Sequence, residues 1–169
     1  MQDKDAANTL PEGGNMKPLD EAPLKDVQGF AHPMHSRQKR LEEIKAGRSI
    51  LVVEDDASLA RLEGEILTAH GYVVAIAGNG ELAIAAFRQS IPDLVLLDLE
   101  LSGKMNGWDV LEALRTHARI PVILTSAKST VRKQMRSSGE DKSTLDHLAK
   151  PYPMQTLLKR IQRMLTIAP

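Results

Sequence analysis

Residues 50–56 read ILVVEDD. Four apolar positions in a row, three of them β-branched, describe a strand buried on both faces, as in the middle of a parallel sheet. Three acids, Glu54, Asp55 and Asp56, follow at once. Downstream, Leu59, Leu62, Ile66 and Leu67 recur at helical spacing until Gly71 stops the helix. Tyr72–Ala77 reads as a strand, and Leu82, Ala83, Ala86 and Phe87 mark a second helix that Pro92 ends. Leu94–Leu97 is another wholly apolar run, closing on Asp98. Trp108, Leu111 and Leu114 make a third helix, and Ile120–Leu124 a fourth strand. Residues 128–137 form a polar helix with only Val131 and Met135 to bury. Leu145–Ala149 is a weak fifth strand. Met154, Leu157, Leu158, Ile161, Met164 and Leu165 give the last helix. Five alternations of strand and helix predict an α/β domain over residues 48–169, with a parallel sheet and helices on both faces.

Upstream of that domain the pattern dissolves. Residues 1–35 are punctuated by Pro11, Pro18, Pro23 and Pro33 and show no apolar period. Such a stretch buries too little surface to offset its ordering entropy. Residues 36–46 suggest a short helix, capped by Ser36, with Leu41 and Ile44 three apart and Gly47 ending it. Residues 1–47 are therefore expected to be a mostly disordered extension. Their first fourteen residues lack the apolar stretch of a secretory signal. The longest apolar runs fall far short of the roughly 20 residues that a membrane span needs, so no membrane partner and a cytoplasmic location are expected.

Composition narrows the chemistry. The chain has no cysteine, which excludes disulfide staples, thiolate metal sites and thiol catalysis. Formal net charge is zero, but unevenly spread: residues 48–112 carry 11 acids against 4 basic residues, and residues 113–169 carry 11 basic residues against 3 acids. Lys128, Arg132, Lys133 and Arg136 would line one face of the polar helix, solvated or set against an acidic partner.

In open α/β sheets the site lies beyond the carboxyl ends of the strands. Those positions are Glu54, Asp55 and Asp56 after strand one, Asp98 at the end of strand three, Thr125 and Ser126 after strand four, and Lys150-Pro151 after strand five. Asp56, just before Ala57, suits a helix N-cap. The others bring carboxylates, a hydroxyl and an ammonium to one rim. Crowded carboxylates repel unless a cation sits among them, and hard oxygen donors suit Mg²⁺. A carboxylate is a competent nucleophile towards phosphorus. Phosphoryl transfer then needs chiefly positioning and charge neutralisation, which Mg²⁺, Lys150, and Ser126 with a backbone N–H would supply.

ILVVEDD at 50–56, PDLVLLDLEL at 92–101, PVILTSA at 121–127 and AKP at 149–151 together resemble the response regulator receiver family of two-component signalling, the CheY-like domains. The resemblance spans residues 48–167. It implies a doubly wound, flavodoxin-like five-stranded sheet of order 2-1-3-4-5. It implies Asp98 as phosphoacceptor, with Mg²⁺ held by Glu54, Asp55, Asp98 and the backbone carbonyl of Glu100. It further implies Lys150 gripping the phosphoryl group, Ser126 moving towards it, a cis bond before Pro151, and His147 at the aromatic switch position. Glu54 stands where Asp is commoner, and its extra methylene suggests action through a water. Ser126 and Thr125 compete for the hydroxyl role; the spacing from Pro121 favours Ser126.

The partners implied are a histidine kinase or phosphotransfer protein, a downstream protein met through the 128–150 face and the last helix, and a dimer formed on phosphorylation. DNA is set aside because no helix-turn-helix follows the last helix. Catalysis is expected only on the protein's own phosphate. The sequence departs from the family pattern in two loops. Around Met105-Asn106-Gly107 one residue is extra, with Asn-Gly expected to make the turn. Residues 137–148 are long and polar, which suggests a flexible loop. Those departures motivate an alternative, a receiver-like interaction module that signals without phosphate.

Overall fold

The computed structural model describes residues 47–137 and 139–167. Residues 1–46, including the short helix expected over 36–46, lie outside the described residues. Among the described residues, five strands and five helices alternate: β1 Ser49–Val53, α1 Ala57–Ala69, β2 Val73–Ala77, α2 Gly80–Gln89, β3 Leu94–Asp98, α3 Gly107–Arg115, β4 Val122–Ser126, α4 Val131–Ser137, β5 Leu145–Ala149 and α5 Met154–Ile167. All strand pairs are parallel, in the order β2-β1-β3-β4-β5. This is the predicted doubly wound sheet.

Because side chains alternate across a strand, each apolar run feeds two cores. Leu51, Val53, Val95, Leu97, Val122 and Leu124 pack with Ala83 and Phe87 of α2, Val110, Leu111 and Leu114 of α3, and Val131 of α4. Ile50, Val52, Leu94, Leu96 and Ile123 pack on the other face with Leu67 of α1 and with Leu157, Leu158, Ile161, Met164 and Leu165 of α5. No helix among the described residues is long and apolar enough to cross a membrane.

Three expectations need correction. First, the buried stripe of α1 is Ala60, Glu63, Gly64 and Leu67, and Leu62 is exposed. A Cβ at Gly64 would lie 2.9 Å from a terminal methyl carbon of Ile76, so a residue without a side chain lets α1 approach β2 closely here. Second, strand four starts and ends two residues later than Ile120–Leu124. Pro121 has no N–H to pair, while the Ile120 carbonyl is taken by the Arg115 guanidinium at 2.8 Å. The ladder runs on instead through Leu99 N–H to Thr125 O and Lys150 N–H to Ser126 O. Third, α4 begins at Val131, so Lys128 is not on the helix that carries Arg132, Lys133 and Arg136.

The 137–148 segment ends in a hydrogen-bonded turn rather than a loose loop. Arg115 reaches across to Glu140 Oε1 at 2.7 Å and to the Thr144 carbonyl at 3.0 Å. Thr144 Oγ1 donates to Glu140 Oε2, and Ser143 N–H to Asp141 Oδ1.

Candidate functional site: an acidic pocket at the strand ends

Register places the site. Val53 pairs with Leu97, Asp98 with Thr125, and Ser126 with Ala149. The residues just past β1 and β5, and the ends of β3 and β4, therefore meet on one rim. Carboxylate oxygens of Glu54, Asp55 and Asp98 lie within 4.8 Å of one another. Lys150 Nζ sits between two of those carboxylates, 2.8 Å from Glu54 Oε2 and 3.1 Å from Asp98 Oδ2. Glu54 and Asp98 are both buried. The bond between Lys150 and Pro151 is cis.

Each group is held by local chemistry. Glu54 Oε1 accepts the Asp56 N–H at 3.1 Å. Asp56 caps α1, accepting from the N–H groups of Ser58 and Leu59, as expected. Asp55 Oδ2 accepts both the N–H and the hydroxyl of Ser102, at 2.8 and 2.5 Å. Asp98 Oδ1 accepts the Glu100 N–H at 3.0 Å. Asn106 and Asp109 form a capping box rather than a turn, and Gly107 begins α3. A Cβ on Gly107 would lie 2.3 Å from the Asp98 carbonyl oxygen, so glycine is required where α3 starts against the end of β3.

The electrostatics come from burial and pairing. Burial pushes the Glu54 carboxyl above its ordinary value, with the Lys150 ammonium opposing it. The Ser102 hydroxyl and N–H hold Asp55 below the usual carboxylate range. Burial works against the charge on Lys150, but its contacts with Glu54 and Asp98 prevail and raise its pKa. Three carboxylates share one ammonium, so a divalent cation would offset the remaining negative charge. Hard oxygens are the donors that Mg²⁺ prefers, so the residues fit such an ion.

Ser126 and Thr125 are both buried and point apart by strand alternation. Ser126 donates towards Glu100 Oε1 at 3.4 Å and accepts the Lys128 N–H at 2.9 Å. Thr125 lies on the side of Tyr152, whose phenol is pushed well above its ordinary value, by burial first and then by the neighbouring Glu63 carboxylate. His147 faces the α4 side, buried, and neither ring nitrogen has a hydrogen-bond partner among the described residues. It lines a cleft of about 390 Å³ with Arg132, Arg136, Arg160 and Arg163. Burial first, then Arg132, lower its pKa.

Sequence reasoning missed four partners. Ser102 and Arg115 act through loop contacts that no periodicity reveals. The Glu100 side chain accepts the Ala127 N–H at 3.2 Å. Glu63, on the buried face of α1, accepts from the Tyr152 hydroxyl and is pushed up to about 7 by burial. Glu63 had a visible signal: an acid four residues from both Leu59 and Leu67, within an apolar stripe.

A doubly wound parallel sheet with an acidic pocket and a lysine at its carboxyl rim defines the class. The family described as response regulator receiver domain matches residues 50–162, and the chain belongs to it. Among curated relatives, the DNA-binding response regulator MtrA of Mycolicibacterium paratuberculosis is 40% identical over 118 residues, covering 69% of this chain and 50% of that protein. The sensory transduction protein RegX3 of Mycolicibacterium smegmatis is 38% identical over 118 residues, with the same coverage. Of solved structures, the chemotaxis protein CheY4 of Vibrio cholerae aligns with TM-score 0.62 and 25% identity, over 70% of this chain and 99% of that one. The N-terminal domain of a response regulator/sensory box/GGDEF protein of Carboxydothermus hydrogenoformans gives TM-score 0.62 and 30% identity, over 71% and 95%. The chain spans about half the length of the curated relatives it matches. Relatives such as MtrA are described as DNA-binding, which overturns the expectation that sets DNA aside. That expectation looks only for a helix-turn-helix after the last helix, whereas the match covers only part of each relative.

Proposed function

We propose that the domain is a phosphorylation switch that takes a phosphoryl group onto Asp98. The observation that carries this reading is the Lys150 ammonium, held 3.1 Å from Asp98 Oδ2 and 2.8 Å from Glu54 within the three-carboxylate cluster. An Asp98 carboxylate oxygen attacks phosphorus of a phosphohistidine donor on a histidine kinase or phosphotransfer protein. The P–N bond breaks, its electron pair returns to the imidazole, and an acyl phosphate forms. Lys150 lies where it can balance charge on one phosphoryl oxygen. Ser126 Oγ and the Ala127 N–H are donors for another. Glu54, Asp55, Asp98 and the Glu100 backbone carbonyl would hold Mg²⁺, which supplies charge neutralisation when bound. Catalysis is confined to forming and losing the protein's own phosphate, in the cytoplasm. The relatives described as DNA-binding response regulators support DNA binding as the output such a switch serves.

The test is intact mass after incubation with acetyl phosphate and Mg²⁺. One added phosphate is expected, absent from Asp98→Ala. An unmodified wild-type protein, or an equal gain in Asp98→Ala, overturns the reading. A wild-type protein that stays unmodified while Mg²⁺ leaves Trp108 fluorescence unchanged favours the phosphate-independent module.

A further inference from the structure

The side chain of Glu100 occupies the place where the phosphoryl group would need donors. Its backbone lies just beyond β3 and donates to Asp98 Oδ1 at 3.0 Å. Its carboxylate crosses to the end of β4. There Oε1 takes the Ser126 hydroxyl at 3.4 Å and Oε2 takes the Ala127 N–H at 3.2 Å. A hydroxyl and a backbone amide from adjacent residues thus converge on one anion. Ser126 has 0% of its surface exposed, and its oxygen is steadied by the Lys128 N–H at 2.9 Å. The Ser126 donor therefore lies in the interior, whereas Glu100 is only half-buried and has solvent to swing into.

A carboxylate and a phosphoryl group offer such donors the same kind of partner: anionic oxygens on one centre. We propose that Glu100 is an internal stand-in anion, whose carboxylate fills the Ser126–Ala127 donor pair in the resting protein and must be displaced when Asp98 takes a phosphoryl group. This rests on the phosphorylation reading above. Both contacts are longer than the roughly 2.7–2.9 Å usual for charge-assisted hydrogen bonds, so the hold is weak and reversible. Two like charges cannot share the donor pair, because in a partly desolvated pocket their repulsion is strong. Phosphorylation is then an exchange of partners at the end of β4 rather than the filling of an empty site. Glu100 is a positioning residue in this scheme: it holds Ser126 and Ala127 in place and sets how readily they accept an incoming anion.

The experiment compares the full chain with Glu100→Gln and Glu100→Ala. Initial rates of phosphate gain from acetyl phosphate with Mg²⁺ are followed by intact mass, and beryllofluoride affinity by Trp108 fluorescence. Both substitutions leave the backbone carbonyl in place. Loss of the competing carboxylate should raise the initial rate and the beryllofluoride affinity about three- to tenfold, the factor that one hydrogen bond of ordinary net strength is worth. Glutamine, which keeps the shape without the charge, should give part of the gain. Equal or slower phosphorylation in both variants, with the wild type modified normally, overturns the stand-in role and leaves the phosphoacceptor reading intact. Modification of the variants alone supports it. No modification of any of the three proteins defeats the phosphorylation reading, and the stand-in role with it. A change confined to melting temperature, with rate and affinity unchanged, assigns Glu100 a structural role only and overturns the proposal.

Discussion

Replacing Glu63 by glutamine should stabilise the protein at pH 8 and change little at pH 5. Glu63 has 1% of its surface exposed, on the face of α1 that also buries Ala60, Gly64 and Leu67. One carboxyl oxygen accepts the Tyr152 hydroxyl. Burial is the largest influence on it; the Tyr152 hydroxyl opposes that, the negative charges of Glu54 and Asp98 add to it, and Lys150 partly relieves it. The carboxyl is raised from 4.5 to about 7. Between those values the folded protein binds the proton that the unfolded chain has released, so stability falls as pH rises through that window. At about 1.4 kcal/mol for each tenfold change, the ionised carboxyl costs roughly 3 kcal/mol above pH 7, an order-of-magnitude figure.

Glutamine keeps an oxygen for Tyr152 and cannot ionise. Urea unfolding at pH 5, 6, 7 and 8, followed by circular dichroism, should therefore give a variant-minus-wild-type difference below about 1 kcal/mol at pH 5 that grows to roughly 3 kcal/mol at pH 8. Other titrations are shared by both proteins and cancel in the difference. A difference that stays flat across the range would refute the claim that burial of Glu63 outweighs the hydrogen bond from Tyr152.

Three further predictions rest on separate contacts. Gly107→Ala should cost about 2 kcal/mol or more, because the added Cβ meets backbone at Asp98 and Leu99 that cannot swing aside; an unchanged melting temperature would contradict it. Arg115→Ala should cost about 3 kcal/mol by leaving Glu140 without its partner in a largely buried pair, and should speed amide exchange at Thr144 and Leu145; protection equal to wild type would count against the clamp. His147→Phe should gain about 1 kcal/mol near pH 7 by removing an unpartnered buried imidazole. Since the folded state lowers the His147 pKa, the wild type loses stability as pH falls through about 6.5, whereas the phenylalanine variant should not share that loss. Parallel unfolding profiles for the two proteins between pH 5 and 7 would rule this out.

What the sequence reveals depends on whether a contact is set by periodicity or by a single loop geometry. Two apolar runs, 50–53 and 94–97, demand burial on both faces. The alternation of elements then sends every strand in one direction, so Glu54, Asp98 and Lys150 reach one rim although they lie far apart in the chain. That is enough to anticipate a lysine beside Asp98, where the structure has one at 3.1 Å. It is not enough to anticipate Ser102 on Asp55 or Glu100 on Ala127, because each depends on how a short loop satisfies its own donors and acceptors. Hydrophobicity alone misleads on α1. It ranks Leu62 above Glu63 for burial, but the helix turns Glu63 inward. The compensation comes from Tyr152, just past the lysine at the site, and no local pattern joins two residues so far apart. The consequence is physical as well as predictive: a carboxyl raised to about 7 shares its field with Glu54, Asp98 and Lys150. Its ionisation therefore adds negative charge to the rim where the strand-end acids already crowd, and the pH window of Glu63 is also the window in which that rim becomes harder to load with another anion.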